Sequence, residues 1–259
     1  MRGEPGEVNE PSEPPSSGRR TAFRVVAIVM SVAAVVFGLV TAVFGIVDEE
    51  QEIHAFHNTV VASLLLVLSA PGAIAAARAP DRATGPLVHL TVVGVAGLAT
   101  MILSLTPDPF TLPVIVLVGV LWILLPNRER AFPEGRPSPI LLLLVAAAAV
   151  PLVAYALGQA ELQRTDDTSE HAELFHWVEA SFYAVAALLL GLIAALRPVA
   201  FRLSAWSAGL AVTVVGVASL ALQDYESALR TPWAWASIVG GLAFLAADEL
   251  ERRRLGPGP

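Results

Sequence analysis

The sequence predicts an all-α, polytopic membrane protein with eight transmembrane helices, and three observations support this fold class. Hydrophobic residues make up 55% of the 259-residue chain and charged residues only 15%, a balance that soluble domains rarely have. Eight apolar stretches approach the roughly 20 residues that a helix needs to cross a bilayer core about 30 Å thick. Finally, arginine is concentrated in alternate loops. This is the pattern of a chain with an even number of spans whose two ends and arginine-rich loops all face the cytoplasm.

Each of the eight apolar stretches is interpreted as one span. Pro71 and Pro151 lie inside the second and fifth stretches, where neighbouring helices can satisfy the backbone groups that a proline frees. The fourth stretch is the shortest, and Pro113 lies near its start. The predicted spans cover residues 22–47, 58–77, 86–105, 110–125, 138–158, 173–196, 203–222 and 231–248.

The distribution of arginine predicts which side of the membrane each loop faces. With a cytoplasmic N-terminus, all arginines except Arg164 and Arg230 fall on the inner side. The positive-inside rule therefore places both termini in the cytoplasm. The tryptophans fall near predicted span ends, where interfacial aromatic side chains belong. We expect a multi-pass protein of the plasma membrane, with the lipid bilayer as its main partner.

The two halves of the chain are similar, which predicts a parallel 4+4 internal repeat. Three short segments recur in the same order and at the same point of their spans, at offsets of 113, 119 and 122 residues. Because each unit has an even number of spans, both units enter the membrane from the same side. Equivalent residues can then meet at an axis along the membrane normal. The matching segments are 39–45 with 152–158, 72–78 with 191–197, and 92–96 with 214–218.

The repeat also predicts the domain organisation. Residues 1–20 are rich in proline, glutamate and serine and nearly free of large apolar side chains, which predicts a disordered cytoplasmic tail. The first four-helix repeat covers residues 21–130 and the second covers residues 138–254. A cytoplasmic linker at 131–137 joins the repeats, and a C-terminal tail covers 255–259.

The composition excludes several kinds of site. The chain has no cysteine, which removes disulfides, thiolate metal sites and cysteine nucleophiles. It also has no lysine, which removes Schiff-base chemistry and the phosphate-binding lysine of a P-loop. Nucleic acid is not expected as a partner, because the acidic outer loops create a negative surface that attracts cations. No hydrolase or dinucleotide-binding motif is found, so the sequence assigns no catalysis.

Four histidines lie at corresponding places in the two halves. His54 and His57 stand where the second predicted span begins, and His171 and His176 stand where the sixth begins. The offset of 119 residues pairs His57 with His176 directly. Imidazole suits divalent transition metals such as zinc, copper, nickel and iron. The sequence therefore predicts a divalent transition-metal site at the extracytoplasmic face, between the repeats, with His57 and His176 as its principal ligands.

Acidic side chains near these histidines are further candidate metal ligands. Glu173 and Glu179 each stand three residues from His176, a spacing that places side chains on one face of a helix. Glu-x-x-His pairs of this kind occur in metal-binding helical bundles. Glu179 also lies about one turn inside the sixth span, where an ionisable group is costly and indicates function. Glu52, His54 and His171 complete the predicted set of secondary ligands.

The sequence leaves three alternatives to a plain metal site open. Paired histidines at one depth could be the axial ligands of a b-type haem in a redox protein, although both lie beside acids at the membrane boundary. Polar loop ends could simply be solvated, which leaves a structural or partner-binding membrane protein. A small-solute transporter is the third alternative, although the span interiors are nearly free of charge. His89 has no counterpart in the repeat and is interpreted as a helix-end residue.

Several motifs of the second half form a recognisable set. They are Gln159–Gln163, His171 with His176-Trp177, Arg202–Gly209 and Trp235–Phe244. In these motifs the chain, mainly over residues 150–254, resembles uncharacterised multispanning integral membrane proteins of high-GC bacteria. The resemblance implies a membrane architecture and brings no activity with it.

Overall fold

A computed structural model describes residues 17–47, 54–109, 111–126, 136–166, 169–196 and 201–255, and over these ranges it contains helices and no strand. The prediction of an all-α fold is therefore confirmed for the described residues. Most of the predicted N-terminal tail, most of the linker, and the candidate ligand Glu52 lie outside the described residues. The helices are α1 (Ser17–Val47), α2 (Ala55–Ser63), α3 (Ala70–Arg78), α4 (Thr84–Ser104), α5 (Thr111–Leu124), α6 (Pro139–Thr165), α7 (Glu170–Glu173), α8 (His176–Leu196), α9 (Arg202–Ala221) and α10 (Thr231–Leu255).

Within the described ranges, six helical stretches are long and apolar enough to cross a bilayer. They are α1, the continuous stretch from α2 to α3, α4, α6, α8 and α9. Many large apolar side chains on their outer faces are exposed, including Phe37, Ile102 and Leu143. These helices make the chain a membrane protein whose surface contacts the lipid bilayer.

The other two predicted spans differ from these six. Helix α5 has 14 residues, which at 1.5 Å per residue gives about 21 Å, shorter than a bilayer core of about 30 Å. Helix α10 is 25 residues long, but its last turns carry Asp248, Glu249, Glu251 and three arginines. Length and composition thus support six of the eight predicted spans.

Several helix boundaries depart from the predicted spans, among them the start of α1 and the end of α6. Helix α1 begins at Ser17, inside the stretch that was expected to be a disordered tail. Helix α6 continues to Thr165, beyond the predicted end of its span at 158. Its added turns bury Gln159 and Gln163, and Gln163 Nε2 donates a hydrogen bond to Ala172 O at 3.0 Å. The extension thus connects α6 to the short helix α7.

The helices pack as two groups that meet at a common core. In the first half α1 packs against α2 and α3, and α4 packs against α5. In the second half α6 packs against α8, and α9 packs against α10. Between the halves, α4 lies against α8, and α9 lies against α2 and the segment that follows it. The largest apolar cluster spans this contact and includes Phe56, Val93, Tyr183 and Ala211.

A π-helical segment, Leu64–Ser69, joins α2 to α3, and Pro71 explains its position. Proline has no N–H to donate and its ring crowds the carbonyl four residues earlier, so the regular ladder cannot continue. The backbone hydrogen bonds instead join residues five apart, as in the bond from Ala70 N to Leu65 O. The Ser69 hydroxyl also donates to Leu64 O. Such π-turns often occur at functional or strained positions.

His89 is not a helix-end residue, contrary to its interpretation from the sequence. It lies inside α4 with 1% of its surface exposed. Its Nε2 donates to Leu68 O of the π segment at 2.6 Å, and its Nδ1 lies 3.1 Å from the Ser204 hydroxyl of α9. Since both ring nitrogens have partners, His89 serves as a polar link between the two halves.

Candidate metal centre

Four histidines meet at one end of the helical bundle. His54 directly precedes α2, His57 lies in its first turn, His171 belongs to α7 and His176 begins α8. The ring centroids of His54 lie 4.8 Å from His171 and 4.7 Å from His176. The ring of His57 lies 4.8 Å from His171 and 4.9 Å from His176. Each half of the chain thus contributes two imidazoles to one cluster, which we call the histidine cluster.

A local turn places His171 over the start of α8. Ser169 begins α7 by accepting a hydrogen bond from Ala172 N at 3.3 Å. Phe175 then adopts a φ of 62°, a left-handed conformation that a non-glycine residue rarely takes. This turn separates α7 from α8, and His171 stacks on Trp177 with ring centroids 5.7 Å apart. Strained backbone of this kind is typical of functional sites.

Three rings present nitrogen atoms at a spacing that suits metal binding. One nitrogen each of His54, His171 and His176 lies within 4.8 Å of the other two. Zinc–nitrogen bonds of about 2.0–2.1 Å place tetrahedral ligand atoms about 3.4 Å apart, so the ring nitrogens would need to approach one another by up to about 1.4 Å to bind one ion. A single ion could therefore bind all three rings.

The histidine cluster also contains buried nitrogen atoms without partners. His54 is 1% exposed and His176 is 7% exposed. Nδ1 of each has no hydrogen-bond partner among the described residues. Buried polar atoms are nearly always paired in proteins, and an unpaired one calls for a ligand, a water or an ion. Nδ1 of the buried His57 also lacks a partner among the described residues, and three such imidazole nitrogens in one cluster fit the donor set of a transition metal.

Nε2 of His57 has a hydrogen-bond partner outside the histidine cluster. It lies 2.8 Å from Ser227 Oγ, in the loop between α9 and α10. The Ser227 hydroxyl in turn donates to Gln159 Oε1 at 2.8 Å, and Tyr155 donates to Ser227 O at 3.0 Å. This chain of hydrogen bonds could not be predicted from the sequence, because Ser227 and His57 are 170 residues apart.

The predicted acidic ligands stand apart from the rings. Glu173 is exposed at the end of α7, and the left-handed turn at Phe175 prevents it from sharing a helical face with His176. Glu179 is buried in α8 and interacts electrostatically with Asp108. The exposed Glu170, which was not predicted, has a carboxylate oxygen 3.6 Å from His54 Nε2. Glu170 thus brings a carboxylate close to a ring of the histidine cluster.

Two further buried carboxylates were missed by sequence reasoning. Asp108, between two prolines, is 1% exposed and accepts a hydrogen bond from Thr111. Asp248 in α10 is completely buried, and neither of its carboxylate oxygens has a hydrogen-bond partner among the described residues. An acid at the end of an apolar helix was the available signal for Asp248.

A separate apolar cavity of about 520 Å³ lies among α6, α8, α9 and α10. Its walls include Tyr155 and Tyr183, whose hydroxyl groups donate to the backbone carbonyls of Ser227 and Ala211. The described lining residues include no histidine and no acid, so the cavity is not part of the metal centre.

The packing of the rings argues against a haem between His57 and His176. Axial imidazoles direct their nitrogens at each other across the iron, and the porphyrin spreads between them. Here the two rings are parallel within 7°, and His171 contacts both of them. A porphyrin would have to displace His171 and separate the stacked pair.

Comparisons of this chain with protein-family models, with curated proteins and with solved structures found no match. Its function must therefore be argued from the chemistry of the histidine cluster and not from similarity of fold.

Proposed function

We propose that this chain is an integral membrane protein that binds one divalent transition metal ion through His54, His171 and His176. The observation that carries the proposal is the convergence of three imidazole nitrogens, two of which belong to buried rings with an unpaired Nδ1. His54 belongs to the first half and the other two histidines belong to the second. A bound ion would therefore hold the start of α2 against α7 and α8.

The donor set favours a particular group of metals. Imidazole nitrogen suits zinc, copper, nickel and ferrous iron, whereas calcium and magnesium prefer oxygen ligands. Three protein ligands leave one tetrahedral position for water or for a further side chain. The exposed Glu170 beside His54 adds negative charge at the rim of the site, which attracts cations.

We further propose eight spans in a parallel 4+4 repeat, with both termini in the cytoplasm and the histidine cluster on the outer side of the plasma membrane. Equivalent helix pairs support the repeat: α1 packs against α2 and α3 as α6 packs against α8, and α4 packs against α5 as α9 packs against α10. The contacts between halves also correspond, because α4 lies against α8 as α9 lies against α2. The arginine distribution supports the orientation.

The metal proposal is tested by measuring bound metal directly. The full chain, purified in detergent and stripped with a chelator, is dialysed against zinc, copper or nickel chloride and then separated from free ions. We expect about one ion per chain, and a rise in the thermal midpoint that chelator reverses. An ion present at 100 times its dissociation constant stabilises the folded state by about 2.7 kcal/mol. A chain that retains no ion and shows no shift contradicts the proposal and leaves a structural or partner-binding protein.

The orientation is tested with introduced cysteines, since the natural chain has none. Asp224 and Arg253 are exposed at opposite ends of the bundle, in the loop before α10 and in its last turn. We expect Asp224→Cys to react with a membrane-impermeant maleimide in intact cells, and Arg253→Cys to react only after the cells are permeabilised. The reverse pattern would place the histidine cluster in the cytoplasm.

A further inference from the structure

A chain of buried hydrogen bonds holds the His57 ring against the second half of the protein. It runs from His57 Nε2 to Ser227 Oγ at 2.8 Å, and from Ser227 Oγ to Gln159 Oε1 at 2.8 Å. Tyr155 anchors the same loop by donating to Ser227 O at 3.0 Å. His57 and Ser227 are each 1% exposed, and Gln159 is 6% exposed, so water does not compete for these bonds.

The last acceptor of this chain sets the direction of every proton in it. Gln159 Oε1 can only accept a hydrogen bond, so Ser227 donates its single hydroxyl proton to Gln159. Ser227 Oγ must therefore accept from His57, which places the imidazole proton on Nε2. A neutral imidazole in this tautomer carries its free lone pair on Nδ1. That Nδ1 is buried and has no hydrogen-bond partner among the described residues.

We propose that His57 Nδ1 is a fourth donor to the metal ion, and that Ser227 and Gln159 are positioning residues that hold His57 in the required tautomer. This inference rests on the proposed metal site. The His57 ring already lies 4.8 Å from His171 and 4.9 Å from His176. Metal-bound histidines usually donate their second ring N–H to a neighbouring acceptor, as His57 does to Ser227.

The fourth donor changes the type of the site. Four nitrogen ligands, two from each half, fill a tetrahedral site and leave no position for substrate or a reactive water. Closed sites of this kind stabilise structure, whereas catalytic sites keep an open position. The ion would then connect the two halves across their contact, and the protein would need no catalytic group at this end of the bundle.

The same hydrogen bonds do not make Ser227 a nucleophile. A serine nucleophile must give its proton to the adjacent histidine, which acts as the general base. Here the Ser227 proton is given to Gln159, and His57 is the donor to Ser227.

The tautomer of His57 is tested first in metal-free protein. A chain labelled with ¹⁵N only in histidine gives five imidazole spectra, and His57→Asn identifies the one that belongs to His57. Long-range ¹H–¹⁵N correlation is expected to show the proton on Nε2. Ser227→Ala is expected to lose this preference, and Ser227→Thr to keep it because the hydroxyl remains. A wild-type His57 with its proton on Nδ1 would overturn the inference, whether or not the protein binds metal.

The donor role is tested by zinc affinity, measured by competition with a chromophoric chelator. Ser227→Ala and Gln159→Leu are expected to weaken zinc binding by about 10- to 100-fold, the usual effect of removing a group that orients a ligand. Ser227→Thr and Gln159→Glu keep the hydroxyl and the acceptor, and should stay near wild type. The matched control is Ser181→Ala, because Ser181 is a buried serine that joins α8 to α6 through Ala156 O and makes no bond to His57.

The outcomes separate this inference from the proposed function. If the wild-type chain binds zinc and Ser227→Ala binds it as tightly as Ser181→Ala does, the fourth-donor role is wrong and the three-histidine site stands. If the wild-type chain binds no zinc, copper or nickel, the proposed function fails and the donor role fails with it. A selective loss in Ser227→Ala and Gln159→Leu supports both.

Discussion

A chain in which His54 and His176 are both replaced by alanine is expected to lose its transition-metal binding. The double replacement removes two of the buried rings whose Nδ1 atoms have no partner among the described residues, one from each half. Structural zinc sites with four ligands contribute about 10–16 kcal/mol, or roughly 3 kcal/mol for each donor. Removing two donors, about 6 kcal/mol, should therefore weaken zinc binding about 10,000-fold. Equilibrium dialysis of the purified variant with zinc chloride, followed by elemental analysis, measures this loss.

The control for the double variant is another buried histidine. His89 lies outside the histidine cluster and both of its ring nitrogens have partners. We expect His89→Gln to lower thermal stability, since it disturbs the link between Leu68 O and Ser204, and to leave the bound zinc per folded chain unchanged. Equal zinc content in the wild type and the double variant would show that the histidine cluster is not the binding site.

The proximity of His57 and His176 was predicted from the hypothesis of an internal repeat. A constant offset in sequence becomes a shared position in space when both copies enter the membrane from the same side. Their rings stack 4.9 Å apart, and the nitrogens that converge on one point belong to His54, His171 and His176. Imidazole at two equivalent helix starts was therefore enough to locate the end of the bundle where the candidate site lies.

The positions of His54 and His171 within the histidine cluster could not be predicted from the sequence. The two residues do not align with each other in the predicted repeat. The position of His171 beside the other rings depends on the left-handed turn at Phe175. Phenylalanine gives no signal for such a turn, since only glycine and asparagine take this conformation readily. Because of the same turn, Glu173 and His176 belong to different helices. Glu173 was predicted as a metal ligand because it was expected to share a helical face with His176.

The buried polar links between the halves depend on tertiary packing alone. Ser227 meets His57 because the loop between α9 and α10 folds over α2, and no local pattern specifies that approach. His89 was expected at a helix end because histidine is polar, yet a π-turn and a serine on α9 supply partners inside the bundle. A buried polar group is tolerated wherever partners are provided, and the sequence does not say where they are.

Close packing of α9 against α10 predicts opposite effects for two adjacent glycines. A Cβ atom at Gly241 would lie 2.5 Å from Gly209 O and 2.9 Å from Thr213 N, and would also overlap the Thr213 hydroxyl. Backbone atoms cannot rotate out of the way, so the helices must separate. At Gly240 a Cβ atom would meet no atom within 4 Å. Small residues allow membrane helices to approach closely in this manner.

We expect Gly241→Ala to lower the free energy of unfolding by about 1–3 kcal/mol, the usual cost of overpacking a tight contact. Gly240→Ala should be neutral or stabilising by up to about 1 kcal/mol, because alanine is the better helix former and nothing obstructs it. Both variants carry the same chemical change on neighbouring residues of one helix, so thermal unfolding in the same detergent isolates the packing effect. Equal changes in the thermal midpoint of the two variants would mean that α9 and α10 do not approach as closely as their glycines allow. A larger separation of these helices would also release the loop between them, which holds Ser227 against His57.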